Sequence, residues 1–295
     1  GVLEGGLSGY RQLLVTGTPG IGKTRSMTYL LRLLMQQHKT VFYEARKEKT
    51  LYAFVPHTAP DGGATTGSAG YEVWKWKGLQ SVPNPGVIPA MSDPTTWRLV
   101  DPAKAGEHAM DTTENITVLA ASPNSDHYKE WMKGQGRCTT YIGPWTLAEL
   151  HAGAEVLRQV AGRVGLTQEV VRGRWVVFGG TIRSVLDVDQ FAVADRLASL
   201  QSASQSEKIN DKSVKSLLDR VGMLDARERN APPSELAFMW PRDNVHQVPH
   251  MWPASPFAAQ LIGARAIADG IASEEWHQGV YEQAVVQWLA HGTSL

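Results

Sequence analysis

Residues 11–24 constrain this chain more than any other stretch. Leu13, Leu14 and Val15 form a short apolar run, and Gly17-Thr18-Pro19-Gly20-Ile21-Gly22-Lys23-Thr24 follows almost at once. Met27, Leu30, Leu31 and Leu34 then recur at helical spacing, with Arg25, Thr28 and Arg32 between them. The pattern predicts a strand buried on both faces, a glycine-rich turn and an amphipathic helix. Phosphate binding needs that order. Gly17, Gly20 and Gly22 let the backbone curl so that successive amides face phosphate oxygens, and the positive end of the helix adds to the field. Lys23 is expected to bridge the outer phosphates and the Thr24 hydroxyl to ligate Mg²⁺. The expected nucleotide contacts are therefore Gly17, Thr18, Pro19, Gly20, Ile21, Gly22, Lys23, Thr24 and Arg25.

Composition removes several other classes. The chain has 295 residues, and its 29 basic side chains balance 29 acidic ones, which argues against a chain-wide nucleic-acid or membrane footprint. Cys138 is the single cysteine, so neither a disulfide framework nor a multi-cysteine zinc module can form within the chain. The apolar runs are shorter than the about 18 residues of a membrane span, and the expectation is a soluble intracellular-type protein with no membrane partner. His246 and His250 are separated by Pro249, which breaks the helix a paired zinc site would use.

A Mg²⁺–nucleotide site also needs an acid at the tip of a nearby strand. Thr40-Val41-Phe42-Tyr43-Glu44 and Thr96-Trp97-Arg98-Leu99-Val100-Asp101 both end in one, whereas Ile116 to Ser122 ends in a hydroxyl. Asp101, followed by Pro102, is the preferred magnesium aspartate, because ligands bind at the carboxyl ends of strands in open α/β sheets. An Asp-Pro turn is its ordinary alternative. No glutamate follows Asp101, so Glu44 is the first substitute as catalytic base and Glu107 the second. Ser122 and Asn124 either contact the γ-phosphate or attacking water, or form a turn capping a helix near Ser125.

Leu51–Val55 and Tyr71–Trp76, joined by a Gly/Thr/Ser-rich loop, read as a β-hairpin inserted at the sheet edge. Trp74 and Trp76 alternate with Lys75 and Lys77, as either a base-stacking surface or a half-buried strand with lysines guarding the edge. Thr146 and Glu149 have capping-box spacing, and Leu157, Val160 and Val164 continue an apolar stripe. Arg174 to Phe178 reads as extended chain before the Gly179-Gly180 turn, with Arg183 just beyond as a γ-phosphate sensor or a plain surface arginine. Arg158, Arg163, Arg172, Arg174 and Arg183 make this region the most basic and give the one hint of a nucleic-acid face. Helices are expected over 125–133, 191–202, 212–221, 256–271 and 274–289, with a hairpin pairing Phe238-Met239-Trp240 with Gln247-Val248.

Taken in order, these segments resemble the P-loop NTPase region of Crinkler-type effectors of oomycetes and chytrids, related to trypanosome retrotransposon-hot-spot proteins. The resemblance rests on Gly17–Thr24, Val41–Glu44, Trp97–Asp101, Ser122-Pro123 with Tyr128-Lys129-Glu130, Trp145–Leu150, Gly179-Gly180 with Arg183, and Ala254-Ser255. It implies a three-layer α/β sandwich with a mostly parallel sheet, and makes Asp101 the Walker B acid. It also sets Gly179 to Arg183 at the lid, although Ile182 stands where the family often has proline. ATP and Mg²⁺ are the implied cofactors, and ATP hydrolysis is the implied activity. The alternative activity is a nucleotide-gated switch acting on a host protein or nucleic acid. A host nuclear protein or DNA is the implied partner, with homo-oligomerisation left open. Secretion and delivery to a host nucleus are family traits whose signals would lie upstream of Gly1. The expected organisation is a core over 1–185, with its hairpin near 50–78, and a helical lid or winged-helix-like region over 186–295.

Overall fold

The structure, a computed structural model, describes residues 10–57, 70–78, 93–101, 115–122, 133, 136–205, 235–242, 245–271, 273, 278, 281–282 and 286. Glu107, Asn124, the loop at 61–69 and the helix at 212–221 lie outside these residues, as do the segment 228–233, all but Lys133 of the helix at 125–133, and most of the one at 274–289. The chain divides into two compact units, one of residues 1–16 and 23–140, the other of 17–22 and 141–295. The division falls near residue 140, whereas the sequence suggested one after residue 185, and the glycine loop groups with the second unit.

The first unit is a sheet with one long described helix. Its elements are β1 (Gln12–Thr16), α1 (Lys23–Gln36), β2 (Val41–Ala45), a 3-10 turn (Arg46–Glu48), β3 (Thr50–Pro56), β4 (Tyr71–Lys77), β5 (Trp97–Asp101), β6 (Ile116–Ala120) and β7 (Arg137–Tyr141). The seven strands are ordered β4-β3-β2-β5-β6-β1-β7. β1 pairs with β6, β6 with β5, and β5 with β2, all in parallel. β2 with β3 and β3 with β4 are antiparallel, which is the expected edge hairpin. β7 had no strand signature in the sequence; its five half-buried residues lack the alternation that marks a strand.

Successive strand residues face opposite sides, and this builds two cores. Leu13, Val15, Leu99 and Val118 pack with Met27, Leu30 and Leu34 of α1. Leu14, Val100, Leu119 and Ala121 form a separate cluster. The run Leu13-Leu14-Val15 therefore has both faces covered, as its composition required. Each fully buried leucine contributes about 1.5–3 kcal/mol by leaving water. At the edge, Trp74 is 49% exposed and stacks on Trp76 with ring centroids 6.0 Å apart. Alternation sends Lys75 to the other face, its Nζ 5.1 Å from the Tyr52 ring centroid.

The second unit is mainly helical. It contains α2 (Leu147–Ala161), α3 (Gln168–Phe178), α4 (Ile182–Val185), α5 (Gln190–Ser204), β8 (Ala237–Arg242), β9 (Val245–Pro253) and α6 (Pro256–Ala268). Leu150, Val171, Trp175, Phe178, Leu200 and Ile262 share one core, so α2 and α3 belong with the later helices and the boundary falls before them. Thr146 and Glu149 make the expected capping box on α2. Val160 and Val164, in contrast, are 82% and 80% exposed, so the apolar stripe ends at Leu157.

Arg174 to Phe178 is helical rather than extended. Thr167 caps α3 by accepting from the Val170 amide, and Val171, Trp175 and Phe178 recur on one buried face. That tertiary face overrides the local β preference of Trp-Val-Val-Phe. β8 and β9 form an antiparallel hairpin where one was expected, but Phe238, Met239 and Trp240 pair with Trp252, Met251 and His250 rather than with Gln247-Val248, and Pro249 lies in β9. Among the described residues no helix is long and apolar enough to cross a membrane.

Candidate functional site

The loop Gly17–Gly22 leaves β1 with backbone angles that side chains rarely tolerate. The φ values are 146° at Gly17, 84° at Gly20 and 100° at Gly22. Space is also short. A Cβ on Gly17 would lie 2.4 Å from the Ile142 carbonyl oxygen, and one on Gly20 would lie 2.8 Å from Cγ2 of Thr181. Conformation and close approach thus both demand glycine there. Thr18 and Ile21 are buried, while Pro19 is exposed at the turn. Within the same unit, the Trp145 indole N–H donates to the Ile21 carbonyl at 2.7 Å, and the Arg183 amide donates to the Gly20 carbonyl at 3.3 Å.

In the first unit, the Thr24 hydroxyl donates to Oδ1 of Asp101 across 3.2 Å, although 77 residues separate the two. Thr24 lies in the first turn of α1 and Asp101 ends β5. Burial raises the Asp101 carboxyl above its ordinary value, the Thr24 hydrogen bond and the charges of Lys23 and Lys47 oppose the rise, and Glu48 adds to it. Tyr43 is raised as well, first by burial and then by the charges of Asp101 and Glu48. Its hydroxyl hydrogen-bonds Thr28, and Arg25, itself exposed, lies near enough for its charge to offset part of the rise. A desolvated carboxylate beside a hydroxyl is a hard-oxygen pair that suits Mg²⁺. Among the described residues no group of three or more His, Cys, Asp or Glu side chains gathers as a metal site. Mg²⁺ does not need one, because it commonly takes one or two protein oxygens and completes its shell with phosphate and water.

Glu44, the first substitute expected as catalytic base, is held in a buried ion pair. Its side chain is 1% exposed and engages Arg98 of the adjacent strand, itself 2% exposed, through both a hydrogen bond and an ion pair. Its neighbour Tyr43 packs with the α1 cluster, and alternation turns Glu44 to the opposite face. Abstracting a proton from water would require breaking a buried ion pair. The carboxylate whose charge acts on Asp101 is instead Glu48, an exposed residue in the 3-10 turn after β2. The sequence did not single it out, since it stands beyond the strand tip. Ser122 is half-buried just past β6.

Arg183, on α4, is exposed, and no described group engages its guanidinium. It lines a pocket of about 220 Å³ in the second unit with Pro19, Gly20, Arg196, Ser199 and Phe238. The Arg183 segment is held from behind. Arg196 donates to the Arg183 carbonyl at 2.7 Å and to Asp187 Oδ2 at 2.9 Å. Arg174 donates to the Val185 carbonyl at 3.2 Å and also to that of Asp187. Arg158 pairs with Glu155. Two of the five arginines that hinted at a nucleic-acid face are thus engaged inside the unit. Trp145 and Arg196 were not assigned roles from sequence; nothing in their spacing announces a long-range contact.

The chain matches no family model, and no curated protein matches it.

Proposed function

We propose that this chain is a P-loop nucleoside triphosphatase that binds Mg-ATP and hydrolyses it, within the three-layer sandwich its motifs resemble. The observation that carries the reading is the Thr24–Asp101 hydrogen bond. It joins the hydroxyl of the glycine-loop motif to the acid at the carboxyl end of β5, as a shared Mg²⁺ requires. The strand order adds support, since β6 alone separates β1 from β5 and keeps both carboxyl ends in reach of one ligand. In this reading the Gly17–Gly22 amides cradle phosphate oxygens and Lys23 neutralises them. Thr24 and Asp101 orient Mg²⁺, which supplies charge neutralisation at the phosphates when bound. Arg183 serves as the γ-phosphate sensor, presented by its backbone contact with Gly20. A Crinkler-like role at a host protein or DNA follows from resemblance and is part of the proposal.

The test is Mg²⁺-dependent phosphate release from ATP alongside equilibrium ATP binding. Lys23→Ala is expected to weaken ATP binding about 10- to 100-fold by removing a charged donor, and unchanged binding would defeat the assignment. A second reading is a nucleotide-gated switch with little turnover. It is favoured by the commitment of Glu44 to Arg98, which leaves Glu48, among the described residues, as the carboxylate acting on Asp101. Tight ATP binding without phosphate release, identical in wild type and Glu48→Gln, selects the switch.

A further inference from the structure

The Trp145–Ile21 contact, with the Arg183–Gly20 contact beside it, gives the second unit control over the loop's amides. A trans peptide is planar, and its carbonyl and N–H point in opposite directions. Among the described residues no peptide bond is cis. The Gly20 carbonyl shares its peptide with the Ile21 N–H, and the Ile21 carbonyl shares its peptide with the Gly22 N–H. Arg183 N–H holds the first carbonyl and the Trp145 indole holds the second. Each of the two carbonyls is thus fixed by its own donor, and the N–H groups of Ile21 and Gly22, which share those peptides, are turned away from the donors. Consecutive amides facing the same way make an anion-binding concavity.

The donors are themselves anchored. The Trp145 amide donates to the Gly180 carbonyl at 2.9 Å, and its ring packs against the core of the unit. Arg174 and Arg196 hold the carbonyls around α4.

We propose that Trp145 is a positioning residue: its indole N–H pre-sets the Ile21–Gly22 peptide so that the loop meets phosphate with its amides already aligned. This rests on the nucleotide reading of the same loop. Trp145→Phe keeps an aromatic ring and removes the donor. ADP and ATP binding should both weaken about three- to tenfold, the value of one hydrogen bond, while the melting temperature of the unliganded chain hardly moves. Trp175→Phe, in the buried core of the same unit, should do the reverse, lowering the melting temperature and leaving affinity intact. Wild-type affinity in Trp145→Phe, or an equal loss in Trp175→Phe, overturns the proposal while leaving the nucleotide reading standing. A wild-type chain that binds neither nucleotide overturns that reading, and this proposal with it. Should Trp145→Phe fail to fold, amide exchange in the wild-type chain decides. Mg-ATP should slow exchange at Ile21 and Gly22, and unchanged exchange at both refutes the alignment.

Discussion

Two carboxylates stand at the carboxyl ends of neighbouring strands and have opposite fates. Glu44 of β2 lies opposite Val100 of β5, and the next register pair is Ala45 with Asp101. One residue of offset sends the two side chains to different faces of the sheet. Glu44 meets the buried Arg98 guanidinium and its charge is neutralised on the spot. Asp101 meets the Thr24 hydroxyl, with Lys23 and Lys47 acting only through their fields, and burial still dominates its titration. The pair teaches that a place at the carboxyl end of a strand does not by itself fix what an acid meets. The one left short of positive charge is suited to a cation, and the fully paired one holds strands together.

Breaking the first pair should have the largest effect. Glu44→Gln leaves Arg98 buried without its counter-charge and should destabilise the fold by about 3–5 kcal/mol in denaturant unfolding. The molecules that remain folded should bind ATP as wild type does. If Glu44→Gln instead melts normally but loses turnover, the roles assigned to the two acids are reversed.

Asp101→Asn should weaken Mg-ATP binding about 10- to 100-fold, the range for disturbing metal-site oxygens, with Mg²⁺-free ADP affecting the comparison little. It should also raise the melting temperature of the unliganded chain at neutral pH. The sign follows from the raised carboxyl. Below its unfolded value, 3.8, both states are protonated and the group has no effect. As pH rises, the unfolded chain loses its proton first, so stability falls until the folded carboxyl has also ionised. The asparagine removes that fall, and the difference between the two pH–stability curves isolates it from other acids. A lower melting temperature for Asp101→Asn would show that Asp101 is held as a structural anion.

The smallest effect is expected from the double change Glu44→Leu with Arg98→Met. Replacing a buried ion pair by apolar groups of similar volume is often neutral or stabilising. Thermal unfolding within a few degrees of wild type, with ATP binding intact, would confirm that the pair is structural. Loss of binding in this variant alone would tie it to the nucleotide.

Much of the first unit was legible because local chemistry and tertiary placement agree. Leu13-Leu14-Val15 is apolar without alternation and is covered on both faces. The hairpin of β3 and β4 announced itself through β-rich runs around a glycine-rich loop. In the second unit, Thr146 and Glu149 cap α2 because three residues bring a side chain back to the first turn. Failures came where distant contacts overrule local preference. Trp175-Val176-Val177-Phe178 has strand composition, yet one helical face of it is buried in the core of the second unit. Val160 and Val164 keep helical spacing but meet solvent.

By itself the sequence determined the glycine loop and its flanks, because the conformations at Gly17, Gly20 and Gly22 are open to glycine and to little else. It also narrowed the partner acid to residues at strand tips. Only the tertiary structure set Glu44 against Arg98 and Asp101 against Thr24, since side-chain direction depends on strand register, and only it brought Trp145 to Ile21 across 124 residues. Dihedral preferences are written residue by residue, whereas the neutralisation of a charge and the holding of a carbonyl depend on what the folded chain sets beside them.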